Sequence, residues 1–194
     1  MKITAVIPAA GRGKRLGGKK DKVFVLLGDK PVLFYTLRVL ESSKLIDEII
    51  LVIGPRYLNY VKNVFLPKFR FTKVKKVTSG GRTRAISVSK GLSLLSQDTD
   101  LVLIHDGARP FIDKYIIEKI VKEAIKSGAA VSGVPVKSTV KRVRDKKIEE
   151  TVERRDLWEI QTPQVFKKDI LLRCYKEAKR EKFSPTDDAQ ILER

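Results

Sequence analysis

Ile3-Thr4-Ala5-Val6-Ile7-Pro8-Ala9-Ala10-Gly11-Arg12-Gly13-Lys14-Arg15-Leu16-Gly17-Gly18-Lys19-Lys20-Asp21-Lys22 joins an apolar run to a basic, glycine-studded loop. Ile3 to Ile7 reads as a buried strand. The small residues after it let the backbone fold tightly and turn N–H groups toward an anion. The interleaved Arg and Lys side chains supply the opposite charge. A strand feeding such a loop suits a polyphosphate. Two familiar phosphate motifs nearly fit. Gly13 to Lys19 has P-loop spacing, but Lys20 stands where a magnesium-binding Ser or Thr belongs. Gly11-x-Gly13 opens a dinucleotide fingerprint, but Leu16 replaces its third glycine. Taken alone, the loop reads equally as a solvated basic turn.

The remaining runs alternate strand and helix patterns, which predicts an α/β fold with a mainly parallel sheet flanked by helices. Lys22 to Leu27 leads into Gly28-Asp29-Lys30. Pro31 suits a first helical position, and Leu33, Leu37 and Leu40 form a core stripe. Ile49 to Ile53 is apolar throughout, as a strand covered on both faces should be. Residues 56–66 read as helical, and Lys73 to Val77 as a short strand running into Ser79-Gly80-Gly81. A helix from about Arg82 sets Ala85, Val88, Leu92 and Leu95 on one face. The apolar strand Leu101 to Ile104 delivers His105-Asp106-Gly107-Ala108-Arg109-Pro110 at its carboxyl end, where open α/β sheets bind ligands. Asp113 caps the next helix and Gly128 stops it. Ala129 to Val134 is another strand.

Residues 136–155 break this alternation. Val136 to Arg144 and Ile148 to Val152 read as β-branched, charge-rich strands joined at Asp145-Lys146-Lys147. No crossover helix accompanies them, so the hairpin should project as an arm that packs on a second subunit. Ile160-Gln161-Thr162-Pro163-Gln164-Val165-Phe166 follows, then a helix over about 167–181. Ser184 to Asp188 caps a last helix running to Arg194. The whole of 1–194 reads as a single domain.

The chain carries 194 residues, 42% hydrophobic and 33% charged, as in a folded globular protein. No run is long enough to span a bilayer and no signal-peptide pattern precedes the first strand, so a cytoplasmic location is expected. One cysteine, Cys174, agrees with a reducing compartment and reads as an apolar filler. The formal charge of +18 is the outlier. Lys and Arg are spread over nearly every segment rather than gathered on one helix or arm, which disfavours a nucleic-acid surface. Only the local clusters bear on function.

Three clusters converge if this fold is right. Arg15 and Lys22 are the best cations for a reacting phosphate. Gly80-Gly81-Arg82-Thr83-Arg84 with Ser87 is a glycine turn into a helix start, suited to base or ribose contacts through backbone amides. Asp106 can hold a magnesium ion, which prefers oxygen ligands and bridges to phosphates, or can pair with Arg109 in a turn. His105 is at most an orienting hydrogen-bonder. Trp158 reads as core or interface packing. Thr139 and Arg154 would pass for surface polar residues.

Pro8-Ala9-Ala10-Gly11-x-Gly13-x-Arg15-Leu16, Gly80-Gly81-x-x-Arg84-x-x-Ser87-Val88 and His105-Asp106-Gly107-Ala108-Arg109-Pro110-Phe111 occur in order. Thr151-Val152-x-Arg154, Gln161-Thr162-Pro163-Gln164 and Thr186-Asp187 follow. Together they resemble the 2-C-methyl-D-erythritol 4-phosphate cytidylyltransferases of the non-mevalonate isoprenoid pathway, over almost the whole chain. The resemblance implies a Rossmann-like nucleotidyltransferase that uses CTP and Mg²⁺, and a homodimer held partly by the arm. It casts Arg15 and Lys22 as catalytic, stabilising charge at the CTP α-phosphate. Ala9, Ala10, Gly11, Gly80, Gly81 and Ser87 would hold the nucleotide, and Asp106 the metal. Thr139 and Arg154 would cross from the partner to the sugar phosphate, with Arg109 and Thr162 completing that pocket.

The chain departs from the family pattern at three points. Asp21-Lys22-Val23 replaces Pro-Lys-Gln, and Arg82 replaces an acid after the glycine pair. The family's closing segment, with its Asn-Ile-Lys-Val-Thr lysine, is absent from residues 1–194. Ribitol-5-phosphate cytidylyltransferases share most of these motifs, although Thr151-Val152-Glu153-Arg154 leans toward the methylerythritol enzymes. A basic nucleic-acid-binding module is the alternative of another class, and a non-catalytic nucleotide binder on the same fold is a third.

Overall fold

Ten strands form in this computed structural model, which describes residues 1–11, 21–183 and 185–193. Six make the main sheet: β1 (Ile3–Ala9), β4 (Glu48–Ile53), β5 (Val74–Ser79), β6 (Leu101–Ile104), β7 (Ala129–Pro135) and β10 (Trp158–Lys167). Two short hairpins account for the rest, β2 (Leu26–Leu27) with β3 (Lys30–Pro31) and β8 (Val140–Arg144) with β9 (Lys147–Val152). The main sheet has the order β5-β4-β1-β6-β10-β7. Its β5, β4, β1 and β6 pair in parallel, and β10 runs antiparallel to both β6 and β7. The mainly parallel α/β fold expected from the alternation is the one found.

Side-chain alternation divides the core into two layers. Ile3, Ala5, Ile7, Ile49, Leu51 and Leu103 face helices α1 (Val32–Ser42) and α5 (Lys114–Ser127). Val6, Ile50, Val52, Val102, Ile104 and Phe166 face α4 (Arg84–Leu92) and α6 (Lys168–Arg180). Both faces of β1, β4 and β6 are therefore dry, which is why these runs carry almost no polar residue.

Capping follows the sequence closely. The Asp113 side chain accepts from the Ile116 N–H at 2.7 Å, and Gly128 ends α5 in the left-handed region at φ 88°. Thr83 caps α4 by accepting from Ile86 N–H, so that helix begins two residues later than the Arg82 start expected. Pro31 is extended and precedes α1 rather than opening it. The stretch read as helix over 56–66 is a 3-10 turn (Pro55–Tyr57), α2 (Leu58–Tyr60), a π turn (Val61–Phe65) and α3 (Leu66–Phe69). Pro67, which has no N–H to return to the preceding turn, lies just beyond the π turn.

Two sequence expectations are corrected. Trp158 is 56% exposed at the start of β10, which removes core packing and leaves the interface alternative. The last helix reduces, among the described residues, to a 3-10 turn at Ala189–Ile191, because the Asp187 and Gln190 side chains close it locally. Ser184 and Arg194, its expected ends, lie outside the described residues. The segment around Thr162, left without an element in the sequence reading, is part of β10.

The arm forms its own two-stranded sheet, although its first strand starts at Val140 rather than at the Val136 expected and its second at Lys147. Asp145 and Lys146 make its turn with φ of 50° and 63°, the doubly left-handed conformation of tight hairpins. Arg142–Glu150 at 2.6 Å and Arg144–Glu149 at 3.1 Å brace it. Val143 and Ile148 remain 55% and 66% exposed, so this chain alone gives the arm no apolar cover.

Candidate active site

A cleft of about 1220 Å³ opens at the carboxyl ends of β1, β4, β5 and β6, beside the start of α4. Pro8, Ala9, Ala10 and Gly11 line it as they leave β1. Gly80, Gly81 and Ser87 form a second wall, and Asp106 with Ala108 a third. Lys22 opens a 3-10 turn (Lys22–Phe24) at the cleft. Three segments far apart in sequence are thus brought together by strand order. Arg15 lies outside the described residues.

The altered setting of Lys22 has a visible support. Asp21, with a side chain only 4% exposed, accepts from Arg56 Nη2 at 2.8 Å. The ion pair fastens the start of the Lys22 turn to the 3-10 turn following β4.

The glycine pair is required by packing. A Cβ on Gly80 would stand 2.2 Å from Ala10 Cβ and 2.9 Å from Ser87 Oγ. One on Gly81 would meet Ile86 Cγ2 at 2.1 Å. The two amides expected to bind base or ribose are engaged internally: Gly80 N–H donates to Ile53 O at 2.8 Å and Gly81 N–H to Ser87 Oγ at 3.0 Å. Ser87 in turn donates to Thr83 O at 3.0 Å. This hydroxyl therefore ties the wall into shape. Lys90, one turn along α4, also lines the cleft and donates weakly to Gly80 O at 3.3 Å; no motif in the sequence singles it out.

At the third wall, Thr162 crosses from β10 to the turn after β6, at a register irregularity between Ile160 and Gln164. Its Oγ1 accepts from Asp106 N–H at 3.2 Å and lies 3.0 Å from His105 Nδ1. Arg109 O can only accept, so His105 Nε2–H donates to it at 3.0 Å, and the Nδ1 of the neutral ring accepts the Thr162 hydroxyl proton. Burial lowers the His105 pKa, in keeping with this neutral tautomer. His105 is a positioning group, as its isolation in the sequence suggested.

Asp106 bonds to two guanidinium groups, Arg84 Nε at 3.0 Å from Oδ1 and Arg109 Nε at 3.2 Å from Oδ2. Arg84 also meets the buried Asp188 at 2.7 Å through Nη1. Burial works against the Arg84 charge, but Asp188 and Asp106 outweigh it and raise the pKa. Asp188 itself is pushed up chiefly by burial, against the pull of Arg84. Sequence reading gave Arg84 only as part of the glycine turn and missed its carboxylate partner on the last turn.

Thr139 and Arg154 do not join these walls. Both are exposed near the base of the arm, where Arg154 donates to Lys137 O. Among the described residues no group of three or more His, Cys, Asp or Glu side chains is placed to hold a metal. Asp106 is the acidic side chain lining the cleft, and no helix among the described residues is long and apolar enough to cross a membrane.

Residues 3–194 match the family described as IspD, 2-C-methyl-D-erythritol 4-phosphate cytidylyltransferase. The protein of that name from Alkaliphilus metalliredigens is 45% identical over 193 residues, covering 99% of this chain and 80% of its own length. The one from Caldanaerobacter subterraneus is 42% identical over 195 residues, covering 100% of this chain and 86% of its own. Among solved structures, 4-diphosphocytidyl-2C-methyl-D-erythritol synthase from Anaerococcus prevotii superposes with a TM-score of 0.86 at 33% identity, covering 99% of this chain and 83% of that one. Because the family matches residues 3–194 and a 45% identical relative covers 99% of this chain, the chain belongs to the 2-C-methyl-D-erythritol 4-phosphate cytidylyltransferase family.

Proposed function

We propose that this protein transfers the cytidylyl group of CTP to 2-C-methyl-D-erythritol 4-phosphate, releasing pyrophosphate. A phosphate oxygen of the sugar substrate attacks the α-phosphorus in line, and the bond from that phosphorus to the pyrophosphate oxygen breaks. The observation that carries this reading is the convergence of the β1 loop, Lys22, the glycine wall and Asp106 on one cleft, in a chain of this family. Such a transfer needs positioning and charge neutralisation more than a nucleophile or base from the protein.

Arg15 and Lys22 are the cations assigned to the charge that grows at the α-phosphate. Ala9, Ala10, Gly11, Gly80, Gly81 and Ser87 shape the nucleotide subsite. Arg109 and Thr162 serve the sugar phosphate, with Thr139 and Arg154 supplied by a second copy of the chain. The exposed Val143 and Ile148 of the arm support that dimer. Asp106 fits Mg²⁺, since magnesium is commonly held by one or two carboxylates together with substrate phosphates. When bound, the ion would screen the phosphate charge; Arg84 and Arg109 meanwhile hold the Asp106 carboxylate at the cleft. We assign the enzyme to the cytoplasm, where free Cys174 and phosphorylated small-molecule substrates are at home.

The deciding experiment presents CTP and Mg²⁺ with methylerythritol phosphate or ribitol 5-phosphate and follows pyrophosphate. Release with the first alone is expected. Release only with ribitol phosphate would reassign the substrate, and release with neither would remove the activity.

A further inference from the structure

Among the described residues, a charged cluster lies behind Asp106. Arg84 faces the cleft carboxylate on one side, with Nε 3.0 Å from Asp106 Oδ1. On the other it faces Asp188, 0% exposed, with Nη1 2.7 Å from Oδ2. Tyr175 on α6 donates its hydroxyl proton to Asp188 Oδ1. The neighbouring Asp187 is held through Oδ2 by Gln164 Nε2 on β10 at 2.8 Å. A continuous line of contacts thus runs from α6 and the last turn to the cleft carboxylate.

We propose that Asp188 and Tyr175 are positioning residues, which hold Arg84 so that it fixes Asp106 in the orientation that receives a nucleotide-bound divalent cation. This rests on the cytidylyltransferase reading of the cleft.

Docking of the last turn does not require these charges. Ile191 is buried and Leu192 packs against the α4–α6 core layer, so apolar contact already holds the turn. Burying an ion pair costs desolvation that its attraction often fails to recover, and an apolar pair of similar size commonly serves stability as well. The cluster is also incompletely satisfied. Arg84 Nη2 has no hydrogen-bond partner among the described residues, nor has Gln164 Oε1, and Asp188 Oδ2 has only its ion-pair contact with Arg84 Nη1. Such expense is characteristic of functional positions. Asp106 has a second guanidinium in Arg109, but that side chain is 46% exposed, against 29% for Arg84. The more shielded, doubly held arginine is the one able to set the carboxylate.

The test uses Asp188→Asn and Tyr175→Phe in the full chain, the second being a near-isosteric change that keeps the fold. Mn²⁺ binding to each enzyme with α,β-methylene CTP is followed by electron paramagnetic resonance, beside Tm, kcat and both KM values. Asp188→Asn should weaken Mn²⁺ binding and lower kcat by about tenfold, leaving the KM for the sugar phosphate within about twofold; Tyr175→Phe should move both by a few-fold in the same direction. Variants that lose Tm yet bind Mn²⁺ and turn over as the parent does would overturn the proposal, and should Asp188→Asn fail to fold, Tyr175→Phe decides alone. A parent enzyme that releases no pyrophosphate from CTP and methylerythritol phosphate would instead overturn the assigned reaction, while its Mn²⁺ titration would still read the positioning.

Discussion

Thr162 Oγ1 lies 3.0 Å from His105 Nδ1, and this contact locks the antiparallel strand β10 to the turn that presents Asp106. The same oxygen accepts from the Asp106 N–H. Removing it in Thr162→Val leaves a buried ring nitrogen and an amide without partners, a loss of about 1–3 kcal/mol. Thr162→Ser should retain most of that stability. Chemical denaturation of the two variants beside the parent checks the difference.

The neutral His105 gives a pH signature in the enzyme without nucleotide. Burial lowers its pKa below the ordinary 6.5. Between the folded and unfolded values the unfolded chain binds the extra proton, so stability rises with pH across that window. The contribution is complete above 6.5 and shrinks as pH falls from there toward the depressed folded value. His105→Gln should flatten that part of the Tm–pH profile; an unchanged slope would mean that other groups carry it.

Gly80→Ala should destabilise the protein by about 1–3 kcal/mol and weaken CTP binding, since its Cβ would fall 2.2 Å from Ala10 Cβ. Ala10→Gly, made in the same chain, removes that clash and should return part of the loss. The remaining contact, at 2.9 Å from Ser87 Oγ, limits the recovery. Calorimetric titration of CTP into both variants reads the effect.

Arg15→Ala and Lys22→Ala should each lower kcat by about two to three orders of magnitude, with a much smaller change in CTP affinity. Charge that appears only as the α-phosphate reacts has no counterpart in the bound ground state. Rapid-quench kinetics with a parallel binding measurement separates the two. Near-normal turnover in either variant would strike that residue from the catalytic set.

If the arm delivers Arg154 to a neighbouring cleft, Lys22→Ala and Arg154→Ala complement each other. Mixed dimers then hold one intact site, and randomly reassorted subunits should recover about a quarter of parental activity. No recovery, with dimers present in sedimentation, would put Arg154 in the service of its own chain. Ile148→Asp should shift the sedimenting species toward monomer by charging the exposed apolar face of the arm.

Local chemistry was enough to read most of the scaffold from the chain. Continuous apolar runs can only be strands covered twice, which located β1, β4 and β6. Asp113 and Gly128 bounded α5 because capping depends on neighbours in sequence. The independent hairpin at 140–152 followed from β-branched residues without a crossover helix. The end of β1, the glycine pair and Asp106, read from the sequence as candidate site segments, line one cleft. What tertiary structure alone decided was the partnership of residues remote along the chain. Strand β10 became an inner strand by wedging between β6 and β7; Ser87 took the Gly81 amide, which the sequence reading offered to a nucleotide. Asp188 reached Arg84 only because the last turn folds back over α4 and α6. Such pairings carry no periodicity and no fixed spacing, because long-range contacts are set by how layers stack and not by the residues beside them.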